Sequence, residues 1–194
     1  MASVVELKDI AKQVRRDLLL AIYSAGGGHT GGSLSSVDIL VALFFHVMRY
    51  ATTGRDPDRD RFILSKGHSV EGYYAVLAEA GFFSPEELKS YGSFNSRLYG
   101  HPTMKVPGVE VPTGALGHGL PVGVGMALAG MRDRKEYRVF VLMGDGEQAE
   151  GSVWEAAMAA SHYGLGNLVA IIDHNKLQIS GDVDRVMKIS SLQE

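Results

Sequence analysis

The sequence predicts an α/β fold, a doubly wound parallel sheet with helices on both faces, and three observations predict it. Two apolar segments of strand length, Tyr137 to Met143 and Leu168 to Asp173, flank a helical stretch from Val153 to His162. That order is a βαβ unit, whose crossover places two parallel strands in one buried sheet. Glycine is over-used, at 24 of 194 residues against a usual ~7%, and its clusters fall between the predicted elements. A composition of 45% hydrophobic and 21% charged residues is that of a globular chain long enough to bury one core, so the expected domain is a single one over residues 1–194.

The first helix follows from Val4, Leu7, Ile10, Val14, Leu18 and Ile22 at helical spacing, with Ser3 and Glu6 as a capping box. Arg15 and Arg16 ahead of Leu18 to Ile22 mimic a signal peptide, but Asp17 interrupts its core, so the expectation is a helix in a cytoplasmic protein. Gly26 to Gly32 reads as a loop, followed by a second helix over Val37 to Met48 capped by Ser35 or Ser36. Thr52 to Asp60 is a connection. Arg61 to Ser65 reads as a short strand that turns at Lys66-Gly67-His68 into a helix over Val70 to Ala80. Ser84-Pro85-Glu86-Glu87 is a helix start, and a region rich in glycine and proline, Tyr91 to Gly125, leads into a helix ending near Arg132.

Composition excludes several functions. The absence of cysteine removes disulfides, zinc thiolates and thiol nucleophiles. A net charge of −3 does not suit nucleic acid. With no apolar run of ~18 residues, no membrane span is expected. Gly26-Gly27-Gly28-His29-Thr30-Gly31 fits the dinucleotide fingerprint G-x-G-x-x-G, but it follows a helix instead of a strand and fails that test.

The strand ends carry the chemistry. Asp145 lies just beyond one predicted strand and Asn175 just beyond the next, so both side chains enter the crevice where open α/β sheets bind ligands. On neighbouring strands ~4.8 Å apart, their oxygens meet at one small hard cation. One carboxylate leaves most of that cation's charge uncompensated, and a diphosphate supplies the rest. Gly144 and Gly146 let backbone approach the phosphate oxygens, beside a helix N-terminus. Taken alone, the tripeptide Gly144-Asp145-Gly146 is more often merely a strand-end turn with a locally bonded aspartate.

The longer string G-D-G-E-Q-A-E-G-S-V-W-E-A, with N-L-V-A-I-I-D-H-N-K-L-Q-I-S-G placing Asn175 thirty residues after Asp145, resembles the thiamine diphosphate signature of transketolases. G-G-H-T-G-G-S-L-S at His29, L-S-K-G-H at His68, Y-G-H-P at His101 and T-G-A-L-G-H-G from Thr113 resemble transketolase segments in the family's order. The resemblance runs from about residue 10 to the end and covers the diphosphate half, as in the N-terminal subunits of split bacterial transketolases. It implies a thiamine diphosphate-binding fold, with thiamine diphosphate and Mg2+ (or Ca2+) as cofactors. Asp145, Asn175 and the Leu177 carbonyl would be metal ligands. His68, Gly114, Leu116, Gly144, Asp145, Gly146, Glu150 and Asn175 would contact or surround the cofactor. His29, His68 and His101 would line a sugar channel and act in catalysis, where imidazoles hold hydroxyls and move protons. Glu150, the fourth residue the resemblance implies in catalysis, matches a glutamate of the carboxylate network between the dimer's active sites. His118 stands where many members carry glutamine, and His46, His162 and His174 match no role and read as structural.

The implied reaction is ketol transfer, passing two carbons from a ketose phosphate to an aldose phosphate. It needs a C-terminal partner subunit carrying the pyrimidine-binding domain, in a homodimer or α2β2 assembly. The alternatives are half of another thiamine diphosphate enzyme, related to deoxyxylulose phosphate synthase or 2-oxoacid dehydrogenase, and a non-catalytic binding or assembly remnant. Three countable strands and a helix-like ending at Ser190 to Glu194 further predict a domain cut short at its C-terminal end, with weak or no activity even beside a partner.

Overall fold

In the computed structural model, which describes residues 2–52, 56–179 and 181–189, the first helix begins as its capping box dictates. Glu6 N–H donates to Ser3 Oγ, and Ser3 N–H donates to Glu6 Oε2 at 2.7 Å, so two helix-end donors are satisfied reciprocally. This helix, α1, runs Val4–Ala25 and ends where Gly26 takes the left-handed conformation at φ 72°.

The chain forms two compact units, one of Met1–Asp60 with Gly67–Gly114 and the other of Arg61–Lys66 with Ala115–Glu194. In the first, α1 packs with α2 (Thr30–Ala42) and α3 (Val70–Glu79). Val14, Leu18, Val37, Leu40, Tyr74 and Leu77 are completely buried there. The second helix starts seven residues before the predicted Val37. Ser35 and Ser36 are not its caps but lie inside it, each hydroxyl donating to the Gly32 carbonyl. Its N-cap, His29, makes no side-chain capping bond, and the buried Glu71 of α3 accepts from the His29 amide and the Ser33 hydroxyl instead. A tertiary carboxylate thus starts a helix in a glycine-rich segment that local propensity reads as loop.

α2 passes into a π turn, Leu43–Val47, closed by the Met48 N–H on the Leu43 carbonyl. Together Thr30–Val47 is long and apolar enough to cross a membrane by length and composition, where the sequence led to the expectation of no such run. Its face of Ser33, Ser36, Val37, Leu40, Val41, Leu43 and Phe44 is buried, and α2 packs on α1 and α3, as a core helix does. The predicted helix start at Ser84 is a 3₁₀ turn, Pro85–Ser90, with Ser84 as its N-cap.

The second unit is built on a parallel sheet in the order β1-β2-β3, from Arg61–Leu64, Val139–Gly144 and Leu168–Asp173. β2 is buried along its whole length, which explains its unbroken apolar run. Gly144 pairs with Asp173, so β2 and β3 end level. α4 (Gly119–Arg132) packs on the sheet and against α5 (Gly151–His162). Beyond the three predicted strands come two-residue strands, β4 (Leu177–Gln178) and β5 (Gly181–Asp182), paired antiparallel, and a single turn of helix, α6 (Val183–Val186). Elements this short leave no periodicity to read. The predicted helix-like segment Ser190 to Glu194 lies outside the described residues.

α2 and α3 approach closely because Gly72 has no side chain. A Cβ there would lie 2.9 Å from the Ser33 carbonyl oxygen, a backbone atom. Gly72→Ala is expected to lower unfolding stability by about 1–3 kcal/mol, read by urea denaturation. Gly125→Ala on α4, where a Cβ meets nothing within 4 Å, is expected to be neutral or stabilising by about 1 kcal/mol.

Candidate functional site

At the level ends of β2 and β3 the chain presents oxygens and backbone donors in one place. Asp145, nearly fully buried, caps the 3₁₀ turn Gly146–Ala149. Its Oδ1 accepts from Gly146 N–H at 2.8 Å and its Oδ2 from Lys176 N–H at 2.6 Å, which ties the turn after β2 to the segment after β3. Lys176 takes φ 65°, unusual for a side-chain-bearing residue. Asn175 Oδ1 accepts from Leu177 N–H at 2.9 Å. Gly146 leaves room for close approach, since a Cβ there would lie 2.7 Å from Gln178 Oε1. Gln178 Nε2 is itself a buried donor with no partner in the structure.

Behind this corner stands a second carboxylate, Glu147, which is also buried. It accepts from the Ser65 hydroxyl after β1, from Gly117 N–H at 2.8 Å and from Gly144 N–H at 3.1 Å. Ser65 Oγ in turn accepts from Gly119 N–H at the start of α4. A buried ion pair, Lys66 Nζ to Asp173 Oδ2 at 2.5 Å, joins the end of β1 to the end of β3. Among the described residues no three of His, Cys, Asp and Glu cluster to hold a metal by themselves. The carboxylate of Asp145 and the amide oxygen of Asn175 are hard oxygen donors that leave the rest of a coordination shell to water or phosphate, which suits Mg2+ or Ca2+. Gln178 packs over Gly146, and its unpartnered Nε2 is a donor that suits an anionic group.

The first unit carries a histidine cluster. The His29 ring lies 5.6 Å from that of His101 and 6.0 Å from that of His68, both edge-on. Glycines make the space: a Cβ at Gly32 would lie 3.2 Å from His68 Cδ2, and one at Gly114, where φ is 152°, 2.8 Å from His101 Cδ2. Beneath His29 is the buried Glu71, whose Oε1 accepts from the His29 amide at 2.8 Å and the Tyr91 hydroxyl at 2.6 Å, while Oε2 accepts from Ser33 Oγ at 2.7 Å. Burial pushes the Glu71 carboxyl up, but these three donors outweigh it and leave it below the usual value.

Comparison with known proteins places this geometry. The family model for the transketolase thiamine diphosphate-binding domain matches residues 7–193. The chain belongs to that family. It is 53% identical over 181 residues to one of the subunits of the apulose-4-phosphate transketolase of Phocaeicola vulgatus, covering 93% of this chain and 64% of the relative. It is 49% identical over 173 residues to human transketolase, covering 88% of this chain and 28% of that one. The crystal structure of Campylobacter jejuni transketolase superposes with a TM-score of 0.89 at 30% identity, over 97% of this chain and 31% of that one. A Pichia stipitis transketolase mutant in complex with xylulose 5-phosphate does so at 0.89 and 33% identity, over 97% and 29%. This transketolase-family chain thus spans less than two thirds of the length of the Phocaeicola relative and under a third of the single-chain enzymes.

Of the residues singled out from sequence, Asp145, Asn175, Gly144, Gly146 and Leu177 lie together around the strand ends. His29, His68, His101 and Gly114 lie together in the other unit. The Leu116 carbonyl faces His118 Nδ1 at 3.0 Å, and His118 caps α4. Glu150 is exposed at the start of α5, its side chain against Gly117. His46 bonds the Ala2 carbonyl and His162 stacks edge-on against Tyr163, as structural residues do. His174, also expected to be structural, stands with Nδ1 3.3 Å from Asp145 Oδ2. Its place between Asp173 and Asn175 was the available signal. Sequence inspection also passed over Glu71, Glu147 and the Lys66–Asp173 pair, because a single carboxylate or lysine shows its burial only once the chain is folded.

Two expectations follow. Lys66→Ala leaves Asp173 buried without its cation, so stability should fall by about 3–5 kcal/mol in urea denaturation, and the joint Lys66→Met, Asp173→Leu replacement should recover most of it. Burial, then the charge of His29, lowers the His101 pKa below 6.5 against an upward pull from Glu71. The unfolded chain therefore takes up this proton at higher pH than the folded one, and His101 subtracts stability as pH falls below about 6.5. An NMR titration should place its midpoint below that of an ordinary histidine.

Proposed function

We propose that this chain is the thiamine diphosphate-binding half of a split transketolase and works in ketol transfer, moving two carbons from a ketose phosphate to an aldose phosphate. The observation that carries the proposal is the level ending of β2 and β3, which puts Asp145 and Asn175 on one corner beside the glycine turn. The family match over residues 7–193 supports the same reading.

When bound, thiamine diphosphate supplies a carbanion and an electron sink for breaking the C2–C3 bond of the ketose. Asp145, Asn175 and the Leu177 carbonyl would hold Mg2+, or Ca2+, which would offset the charge of the diphosphate. Gly146 and the main chain at Leu116 would contact the cofactor, and Glu150 would belong to the carboxylate network of the assembled dimer. His29, His68 and His101 hold the sugar hydroxyls and pass protons to the developing alkoxide. Burial lowers the His101 pKa and so favours its neutral ring, which offers one N–H donor and one acceptor nitrogen to hydroxyls. The groups that bind the pyrimidine ring come from a complementary C-terminal subunit in a dimer or α2β2 assembly. The Phocaeicola relative is named for apulose 4-phosphate, which makes that sugar the first donor to assay, beside the xylulose 5-phosphate of the Pichia complex.

A thermal melt with Mg2+ and rising thiamine diphosphate tests the site. A native-state ligand stabilises by RT ln(1 + [L]/Kd), about 2.7 kcal/mol at a hundredfold excess over Kd. The expected result is a saturable rise in Tm that Asp145→Ala abolishes. Once a C-terminal subunit is present, whatever turnover occurs is expected with ketose phosphate and not with pyruvate, and the reverse would overturn the ketol-transfer assignment.

A further inference from the structure

We propose that Glu71 is a positioning residue, setting which nitrogen of His29 carries the proton; the inference rests on the reading of His29 as a sugar-binding residue. The carboxylate is completely enclosed while the His29 side chain is 42% exposed, so an outward-facing imidazole rests on an inward charge. Glu71 grips both sides of the α2 start, through the His29 amide and the Ser33 hydroxyl, and Tyr91 grips it in turn. His29 Nδ1 stands 3.4 Å from Glu71 Oε1. Two acceptors facing each other across that gap repel, so the neutral ring places its proton on Nδ1 and leaves Nε2 as an acceptor for a sugar hydroxyl.

The other titratable groups around the carboxylate do not compete for this role. Burial and its bond to Glu71 hold the Tyr91 hydroxyl protonated, well above the usual phenol value. Tyr74, raised by burial, donates its hydroxyl to the His101 carbonyl. His101 feels Glu71 only as a field at a distance. A Cβ at Gly28 would lie 2.7 Å from Glu71 Oε1, so the chain entering His29 is shaped around the carboxylate. None of this is visible in the glycine-histidine motif itself, because the acceptor comes from a different helix.

The decisive pair is Glu71→Met, which removes the acceptor, and Glu71→Gln, which keeps a neutral acceptor at Oε1 while the Ser33 hydroxyl turns to accept from the new amide. Nitrogen-15 NMR of the imidazoles in the 194-residue chain is expected to show His29 protonated on Nδ1 in the wild type and in Glu71→Gln, and shifted to Nε2 in Glu71→Met. In the enzyme assembled with its C-terminal subunit, Glu71→Met is expected to raise KM for the ketose donor about tenfold with little change in kcat, and Glu71→Gln to restore it. A merely structural role would lower the Tm of Glu71→Met without moving tautomer or KM, and that result overturns the proposal. A wild-type His29 carrying its proton on Nε2 overturns it too, and decides the matter even if Glu71→Met fails to fold. Should neither His29→Ala nor Glu71→Met change KM while the tautomers behave as expected, the sugar-binding reading of His29 fails and its coupling to Glu71 stands.

Discussion

Parallel strands that end together beneath glycine loops leave backbone N–H groups pointing where no strand can receive them, and the fold depends on what does. In the sheet unit the answer is Glu147. One buried carboxylate takes the amides of Gly117 and Gly144 and the hydroxyl of Ser65, so the ends of β1 and β2 and the loop before α4 share a single acceptor. An unsatisfied buried amide costs more than a hydrogen bond returns, and a charged acceptor with several donors is the economical remedy. Asp145 repeats the device one residue pair away, joining Gly146 and Lys176. The corner at the strand ends is therefore held together by its own hydrogen bonds.

The helical unit uses the same device for a different end. Glu71 serves as the missing cap of α2 and as the support of His29. The glycines that would make that segment a loop instead allow approach: Gly32 to His68 and Ser69, Gly72 to the Ser33 carbonyl, Gly114 to the ring of His101. Stability and site geometry draw on the same few atoms, and substitutions there disturb both.

These facts explain what was legible in the sequence. The three strands, α1, α3 and α5 carry apolar patterns, α1 with a capping box besides, and each stands within a few residues of where its pattern put it. Asp145 and Asn175 were legible because strand ends can be counted and the surrounding string is long. The start of α2 was not, since its cap lies 42 residues away in sequence. Glu147 sat inside the recognised string between Asp145 and Glu150, but nothing in a linear sequence distinguishes a carboxylate that faces inward from one that faces out. Glu150, three residues later, is exposed.

Lys176 holds a left-handed backbone conformation so that its amide reaches Asp145. A glycine would adopt that conformation without strain but would lose more freedom on folding, and the two effects oppose each other. The residue at 176 thus contributes geometry through its backbone and charge through its side chain, and the two are separable. Drift among lysine, asparagine and glycine at this position changes the charge the loop carries while keeping the backbone turn that reaches Asp145.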